Sequence, residues 1–355
     1  MRTKLFLASS LTTVLLLAAC AGPDSSSERP ATTESNGTAE STGTAESTGT
    51  AESTGTTRAT GASSAETEPA HSSSDTQQSR FPTAENDAAE LLEGMTVSNL
   101  VDKKSQDTAR KALTDAGVPQ ESIDGFFRLV DEFNHAVPTD SLINDGFTDY
   151  GTQDPDYDVE AITTAWQQHH SNYAGTNCRI NTFTLADSLF TVDDQDNPKE
   201  SLLFIDQESL NNAPGEILDE QERRKFAAFY SNIPTTSALN PSQHIADIQA
   251  HFDVRGIEFA DTDARVISMF SHDTLTKPAT LFIGHTGVAV PLDDGYLFLE
   301  KIAFDMPYQA ITVRDMQQLN DYLMHKYDDG PGLEYGRPII FDNDEIIDGM
   351  RFAKR

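Results

Sequence analysis

The pattern of apolar positions changes character near residue 81. Before that point, large apolar side chains are confined to a short run at the start of the chain, whereas after it they recur with regular periods. Helical spacing predicts helices at 105–116, from about 119, at 159–169, from 178, and at 219–230, 241–254 and 315–327. Ser105 is the predicted N-cap of the first of these helices.

Apolar runs with strand character are concentrated in the second half of the chain. They predict strands at 201–205, 265–270, 280–290, 296–304, 310–314 and 337–342. Helices crowd the first half and strands the second, an order typical of an α+β fold with an antiparallel sheet. We therefore expect one α+β domain over 81–355, in which N-terminal helices pack on an antiparallel sheet.

The first twenty residues have the layout of an export signal. Arg2 and Lys4 precede an apolar stretch over 5–17, which is too short to span a bilayer of about 30 Å. The stretch closes on Leu17-Ala-Ala-Cys20, which resembles the bacterial lipobox. We expect a lipoprotein signal peptide over 1–19 and acyl chains such as palmitate on Cys20, which would hold the protein on the extracellular face of the cell membrane. The alternative is an ordinary export signal, with Cys20 incidental.

Residues 20–80 are predicted to form a disordered tether. The segment is rich in Ser, Thr, Gly and Glu, and Thr-Ala-Glu-Ser-Thr-Gly occurs in tandem at 38–43, 44–49 and 50–55. Such a repeat buries no apolar face, so ordering it would cost about 1–2 kcal/mol per residue without return. A tether that lifts the folded part through a cell wall and a neutral repeat expansion both fit this pattern.

The net negative charge of the chain argues against anionic partners. The chain has 57 acidic and 25 basic residues, and residues 81–355 alone carry 48 acids against 20 bases, a net charge of −28. A polyanion such as nucleic acid would be repelled, as would anionic wall polymers and lipid headgroups. We expect no nucleic-acid partner, and contact with the membrane only through the lipid anchor. A salt-adapted host is another explanation of the acidity.

The sequence gives no sign of a cofactor or a metal ion. Glycine-rich phosphate loops and serine nucleophile elbows are absent, and the two cysteines build neither a disulfide framework nor a zinc module. The histidine pairs at 169–170 and at 244 and 251 do not join acidic residues in a metal-binding motif.

Cys178 is the one cysteine left if Cys20 is lipidated, and it begins a predicted helix. Thr176 and Asn177 are both plausible N-caps. In the first turn of a helix, unpaired N–H groups and the helix dipole favour a thiolate and can hold a developing oxyanion. The opposite interpretation is that Cys178 is a small buried apolar residue, the commoner fate of a lone cysteine.

His285 is the candidate base for Cys178. It lies between Gly284 and Gly287, whose small size predicts open space above the imidazole for a helix N-terminus or a substrate. A nucleophilic cysteine at a helix start and a histidine on a following sheet form the reactive pair of cysteine hydrolases. His272 is a rival base, and the alternative for His285 is a core histidine bonded to a backbone carbonyl.

Glu300 is the candidate for orienting the imidazole. Asp294-Gly295 predicts a hairpin turn, and a two-residue loop would put Glu300 on the His285 face of the sheet, whereas a three-residue loop would put it on the other face. Asn177 and Asn181 compete for this orienting role. Glu300 has a structural alternative as well, an ion pair with Arg179.

Five motifs resemble a bacterial lipoprotein family known as domain of unknown function 4300. They are Ser98-Asn-Leu-Val-Asp-Lys-Lys-Ser-Gln, Asn177-Cys-Arg-Ile, Phe282-Ile-Gly-His-Thr-Gly-Val, Leu299-Glu-Lys-Ile-Ala-Phe and Pro307-Tyr-Gln-Ala. The similarity runs from about Thr96 to Arg351. The resemblance implies a lipoprotein with a single folded domain. It does not imply an enzymatic activity.

A weaker resemblance is to NlpC-type and papain-like cysteine amidases, in which a cysteine opens a helix and a His-x-Gly segment starts a strand. It implies a papain-like arrangement of the α+β fold. Here Cys178 is followed by Arg179 and Ile180, where those amidases have serine and glycine. This departure weakens the case for a peptidoglycan substrate.

The sequence predicts one of two functions for a surface lipoprotein. In the first, Cys178 attacks an amide or peptide carbonyl in a cell-wall peptide or another extracellular amide, His285 serves as base and then acid, and Glu300 orients it. In the second, the folded part binds an extracellular ligand without catalysis. Arg179, as an anion contact, and Asn177 are then the binding residues.

Overall fold

The computed structural model of the protein describes residues 81–151 and 155–355. The predicted signal peptide, Cys20 and the predicted tether lie outside these residues. The helices are α1 (Ala88–Leu91), α2 (Lys103–Asp115), α3 (Gln120–Ala136), α4 (Val159–His169), α5 (Cys178–Ala186), α6 (Phe204–Asn212), α7 (Glu220–Phe229), α8 (Pro241–Arg255) and α9 (Met316–Tyr327). Short 3₁₀ turns lie at Thr139–Ser141 and Asp187–Leu189.

The strands form one large sheet and one small sheet. They are β1 (Thr96–Ser98), β2 (Thr148–Asp149), β3 (Phe190–Val192), β4 (Ile233–Pro234), β5 (Ile257–Phe259), β6 (Arg265–Asp273), β7 (Thr280–Pro291), β8 (Tyr296–Lys301), β9 (Tyr308–Val313), β10 (Ile339–Asp342) and β11 (Glu345–Ile346). The large sheet has the order β11-β10-β6-β7-β8-β9-β1-β2, with β4 paired to β7, while β3 pairs with β5. Its strands pair antiparallel, which confirms the predicted α+β class and antiparallel sheet.

Helices cover both faces of the large sheet. Alternation along β8 directs Leu299 into an apolar cluster with Ile180 of α5. The same alternation directs Phe298 into a second cluster with Leu319 of α9. We call these the α5 face and the α9 face, and the backbone of the sheet separates them.

Most of the predicted helices are confirmed, and two local predictions are wrong. Asp102, not Ser105, caps α2, because the Asp102 side chain accepts the backbone N–H of Ser105 at 2.9 Å. The run predicted as a strand at 201–205 instead leads into α6, which starts at Phe204. Four consecutive apolar residues fit a strand and a helix start equally, and periodicity does not separate the two.

Candidate functional site

Cys178 is the first residue of α5 and is fully buried. Asn177 is the N-cap, and its Oδ1 accepts the backbone N–H of Ile180 at 3.0 Å. Burial raises the pKa of Tyr230, the residue that follows α7, and an interaction with Cys178 adds to this shift. The helix therefore begins at the residue that the sequence predicted, but its first turn faces the interior.

Arg179 and Asn177 both bind Asp206 of α6. The guanidinium of Arg179 donates through Nε to Oδ1 at 2.9 Å and through Nη2 to Oδ2 at 2.6 Å, and Asn177 Nδ2 donates to Oδ1 at 2.8 Å. A further bond from Arg179 reaches the carbonyl oxygen of Ile283 on β7 at 3.2 Å. Asp206 is fully buried, so this arrangement joins α5, α6 and β7 within the core. The partner of Arg179 is thus Asp206 and not Glu300.

His285 and Glu300 meet on the α9 face. His285 Nε2 lies 2.5 Å from Glu300 Oε2, and each residue is 1% exposed. The other carboxylate oxygen accepts the hydroxyl of Tyr322, to which Lys326 Nζ donates at 3.1 Å. Burial acts to raise the pKa of Glu300, but the nearby His285 and Lys326 and the two hydrogen bonds outweigh it and lower that pKa overall. The geometry holds a charged carboxylate beside the imidazole.

The connection between β7 and β8 explains why Glu300 shares the face of His285. The last ladder pair is Pro291 with Tyr296, and Leu292 N–H donates to the carbonyl oxygen of Gly295 at 2.9 Å. The loop over 292–295 is therefore longer than the predicted two-residue turn, but it also has an even number of residues. An even loop leaves the alternation of β8 relative to β7 unchanged, so the side chains still converge.

The predicted open space above His285 is filled. A Cβ on Gly287 would lie 2.5 Å from Phe298 Cζ, so the ring of Phe298 occupies the position that the glycine leaves free. The Tyr327 ring stacks on the imidazole with ring centroids 4.9 Å apart. Within the described residues, His285 Nδ1 is buried and has no hydrogen-bond partner. The glycines thus allow close packing in place of an open cleft.

The sheet separates Cys178 from His285. Thr286, next to His285 on β7, points to the opposite face by strand alternation, and this α5 face is the one that α5 covers through Ile180. Lys301, next to Glu300, likewise points to the α5 face, where its pKa responds to the charge of Cys178. The structure therefore brings His285 and Glu300 together and leaves Cys178 on the other face.

The remaining candidates have partners elsewhere. Asn181 Nδ2 donates to Thr176 Oγ1 at 2.7 Å, and its Oδ1 accepts the hydroxyl of Tyr308 at 2.6 Å. His272 lies near the end of β6, where its ring contacts that of His244 and its Nε2 lies 3.0 Å from the carbonyl oxygen of Thr236. These contacts assign Asn181 to the hydrogen-bond network around α5.

Lys301 and Asp206 are buried charges that sequence reasoning missed. Lys301 Nζ donates to the carbonyl oxygens of Ala303 at 3.0 Å and Phe304 at 3.4 Å, and lies 3.8 Å from the centroid of the Phe133 ring. Burial lowers its pKa to about 7, against the influence of Asp305 and Cys178. The adjacent charges of Glu300 and Lys301 at the end of an apolar strand could have indicated that Lys301 is buried. Asp206 lies in a short polar helix, where the sequence gave no indication of burial.

A sequence profile of the family described as "Domain of unknown function (DUF4300)" matches residues 96–347, well over half of the chain. The chain belongs to this family. The matched region starts with β1 and ends just after β11, so it contains Cys178, His285 and Glu300 on their elements of the DUF4300 fold. No curated protein and no solved structure matches the chain.

Two further properties bear on the DUF4300 region. Across 81–151 and 155–355, every helix is too short or too polar to cross a membrane. In the same part of the chain, no group of three or more His, Cys, Asp or Glu side chains is arranged to hold a metal ion.

Proposed function

We propose that the protein is a lipoprotein anchored through Cys20 on the extracellular face of the cell membrane, and that its folded part binds an extracellular ligand without cleaving it. The observation that carries the second half of this proposal is the position of Cys178 and His285 on opposite faces of one sheet. Each is at most 1% exposed, so neither is open to a substrate.

In a cysteine hydrolase, the proton of the thiol passes to the imidazole of the histidine, and the two groups must lie close together. The thiol must lie within hydrogen-bond reach of the imidazole, directly or through one water, before the imidazole can act as base. A papain-like arrangement meets this need by letting the nucleophile helix and the histidine strand converge on one side of a sheet. Here Arg179 ties the start of α5 to Asp206 on the α5 face, while Glu300 holds His285 on the α9 face.

The charge of the folded part favours a cationic ligand. Residues 81–355 carry a net charge of −28, and the guanidinium of Arg179, the expected anion contact, is neutralised by Asp206. Attraction between an acidic surface and a basic ligand raises the association rate and weakens with salt. We therefore assign the ligand to the basic peptides or basic protein surfaces of the extracellular space.

Thiol reactivity tests the absence of catalysis. Iodoacetamide should alkylate Cys178 of the native chain at least about 100-fold more slowly than in urea, because full burial blocks access. The variant His285→Asn should not lower the native rate. A native rate above that of a free cysteine, lowered by His285→Asn, would overturn the binding proposal in favour of the Cys178–His285 hydrolase.

Ligand charge is tested with two synthetic peptides. An oligolysine peptide should bind the native chain in a titration at low salt and lose affinity as salt rises, whereas an oligoglutamate peptide of equal length should not bind. Equal binding of both peptides, or binding of neither, contradicts the assignment of a basic ligand.

The anchor has an independent test. Cells fed an alkyne-bearing palmitate should label the full chain, and Cys20→Ser should lose the label and release the protein from the membrane fraction. Cys178→Ser is the matched control and should keep both label and location. Labelling that survives Cys20→Ser would refute anchoring through this residue.

A further inference from the structure

Two buried histidines meet under the segment that joins α9 to β10. His244 lies on α8 and His272 near the end of β6, and their ring centroids are 4.4 Å apart with an interplanar angle of 60°. The exposed fractions are 1% and 5%. Gly336 of the segment over 329–337 packs against both rings, and Gly330 and Gly336 are the two buried residues of this segment.

The hydrogen bonds around the two rings indicate which ring nitrogens carry a proton. His244 Nε2 lies 2.9 Å from the carbonyl oxygen of Ala238, and His272 Nε2 lies 3.0 Å from that of Thr236, so both Nε2 atoms carry a proton and donate. His272 Nδ1 accepts the backbone N–H of Gly336 at 2.9 Å. An imidazole that donates through one nitrogen and accepts through the other is neutral.

Gly336 is fitted closely between the rings. A Cβ at this position would lie 2.6 Å from His244 Cε1 and 3.2 Å from His272 Nδ1. The backbone of the segment can approach the histidines only because residue 336 has no side chain. The Gly336 N–H to His272 bond thus joins this segment to the histidines, and apart from Gly330 the rest of the segment is exposed or half-buried.

We propose that His244 and His272 form an acid-sensitive latch that holds the segment 329–337 against α8 and β6 at neutral pH and releases it on protonation. Protonated His272 Nδ1 becomes a donor that faces the Gly336 N–H, so the hydrogen bond is replaced by a repulsive contact. If both rings are protonated, two positive charges face each other at 4.4 Å in a buried place.

Burial of the two rings sets the direction of the switch. Burial, with the charge of His272 adding to it, lowers the pKa of His244 to about 4, while Asp247 on the same helix opposes this shift. Burial likewise lowers the pKa of His272, against the influence of Asp273 on the same strand. Both rings are therefore neutral near pH 7, and the latch opens as falling pH protonates them, with the pKa of His244 at about 4.

Other charged groups hold the ends of the segment rather than its middle. Arg337 Nε donates to Asp328 Oδ1 at 2.9 Å, and the Tyr335 hydroxyl donates to Asp329 Oδ2 at 2.8 Å. Glu334 is exposed. Acid release of the middle of the segment therefore does not require loss of its attachment to α9 and β10.

Hydrogen exchange measured by mass spectrometry tests the latch in the full chain. Between pH 7 and pH 4.5, the protection factor of a peptide over 329–337 should fall at least about tenfold, while peptides from β8 and α8 lose less protection. In the double variant His244→Gln/His272→Asn, which keeps an acceptor for Gly336 but does not titrate, the fall should disappear. His169→Asn, at an exposed position, should behave as wild type.

Three outcomes would overturn the latch. They are unchanged protection of the segment in wild type down to pH 4.5, an equal fall in the double variant, and a loss of α8 protection as large as that of the segment. If the double variant does not fold, hydrogen exchange of the variant Gly336→Ala provides a second test. Its Cβ should release the segment already at pH 7, and protection equal to that of wild type would also refute the latch.

Discussion

Glu300 Oε2 lies 2.5 Å from His285 Nε2, and this contact joins β7 to β8 under the cover of α9. Through its other oxygen, Glu300 accepts the hydroxyl of Tyr322 on α9. The pair therefore links two strands and a helix in the interior. A buried carboxylate with this many partners costs most when one partner is removed, because the others are left unsatisfied.

Replacing Glu300 should destabilise the fold strongly. Glu300→Ala removes the acceptor of both His285 and Tyr322, and we expect the free energy of unfolding to fall by about 3–5 kcal/mol. Urea denaturation measures this change. The exposed Glu208→Ala is the control and should stay within about 0.5 kcal/mol of wild type. A loss below about 1 kcal/mol for Glu300→Ala would show that the pair does not support the fold.

The ion pair between Arg179 and Asp206 should matter far more than a surface pair. Asp206→Ala leaves a buried guanidinium without its carboxylate, with an expected loss of about 3–5 kcal/mol in the free energy of unfolding. The exposed pair of Arg224 and Glu220 is the comparison, and Glu220→Ala should cost at most about 1 kcal/mol. Similar losses from the two substitutions would contradict the burial of Asp206.

Gly287 should not tolerate a side chain. In Gly287→Ala, the new Cβ would lie 2.5 Å from Phe298 Cζ and 2.6 Å from the carbonyl oxygen of Leu299, so either the ring or the strand must move. We expect a loss of about 1–3 kcal/mol, measured by thermal and urea unfolding. Gly215→Ala meets no atom within 4 Å and should be neutral or slightly stabilising. A neutral Gly287→Ala would mean that open space remains above His285.

His251 should make the fold sensitive to acid. Burial, with Arg255 adding to it, lowers the pKa of His251 to about 4, whereas a histidine in an unfolded chain titrates near about 6.5. The unfolded state therefore takes up the proton first, so this stabilisation is present above pH 6.5 and is lost as the pH falls toward 4. Between pH 7 and pH 5, wild type should lose about 2 kcal/mol more than His251→Leu.

The control for His251 is the exposed His169→Leu, whose loss of stability between the two pH values should equal that of wild type. Urea midpoints at each pH give the comparison. An equal loss in His251→Leu and wild type would contradict the neutral state of the half-buried His251.

Local patterns were enough to predict most elements. The α4 bounds, the start of α5 at Cys178 and the central strands follow from periodicity and from capping residues such as Asn177, which act over a few positions. The strand predicted at 201–205 is wrong, because four apolar residues carry no period. The cap of α2 is misplaced by three residues, since Asp102 and Ser105 are both good capping residues and sequence alone does not choose between them.

The candidate residues were harder to predict, because their contacts are distant in sequence. Alternation indicated that His285 and Glu300 would share a face if the loop had an even number of residues. It gave no information on which face α5 would cover, and that choice decides whether Cys178 meets His285. Asp206, the partner of Arg179, belongs to a helix that the pattern did not reveal.

Full burial of Cys178 has a consequence for handling the protein in air. The outside of a cell is oxidising, and an accessible thiol there cross-links with other chains. Since Cys178 is fully buried, covalent dimers through this residue should form only after the chain unfolds, and reductant-free purification should yield the reduced form.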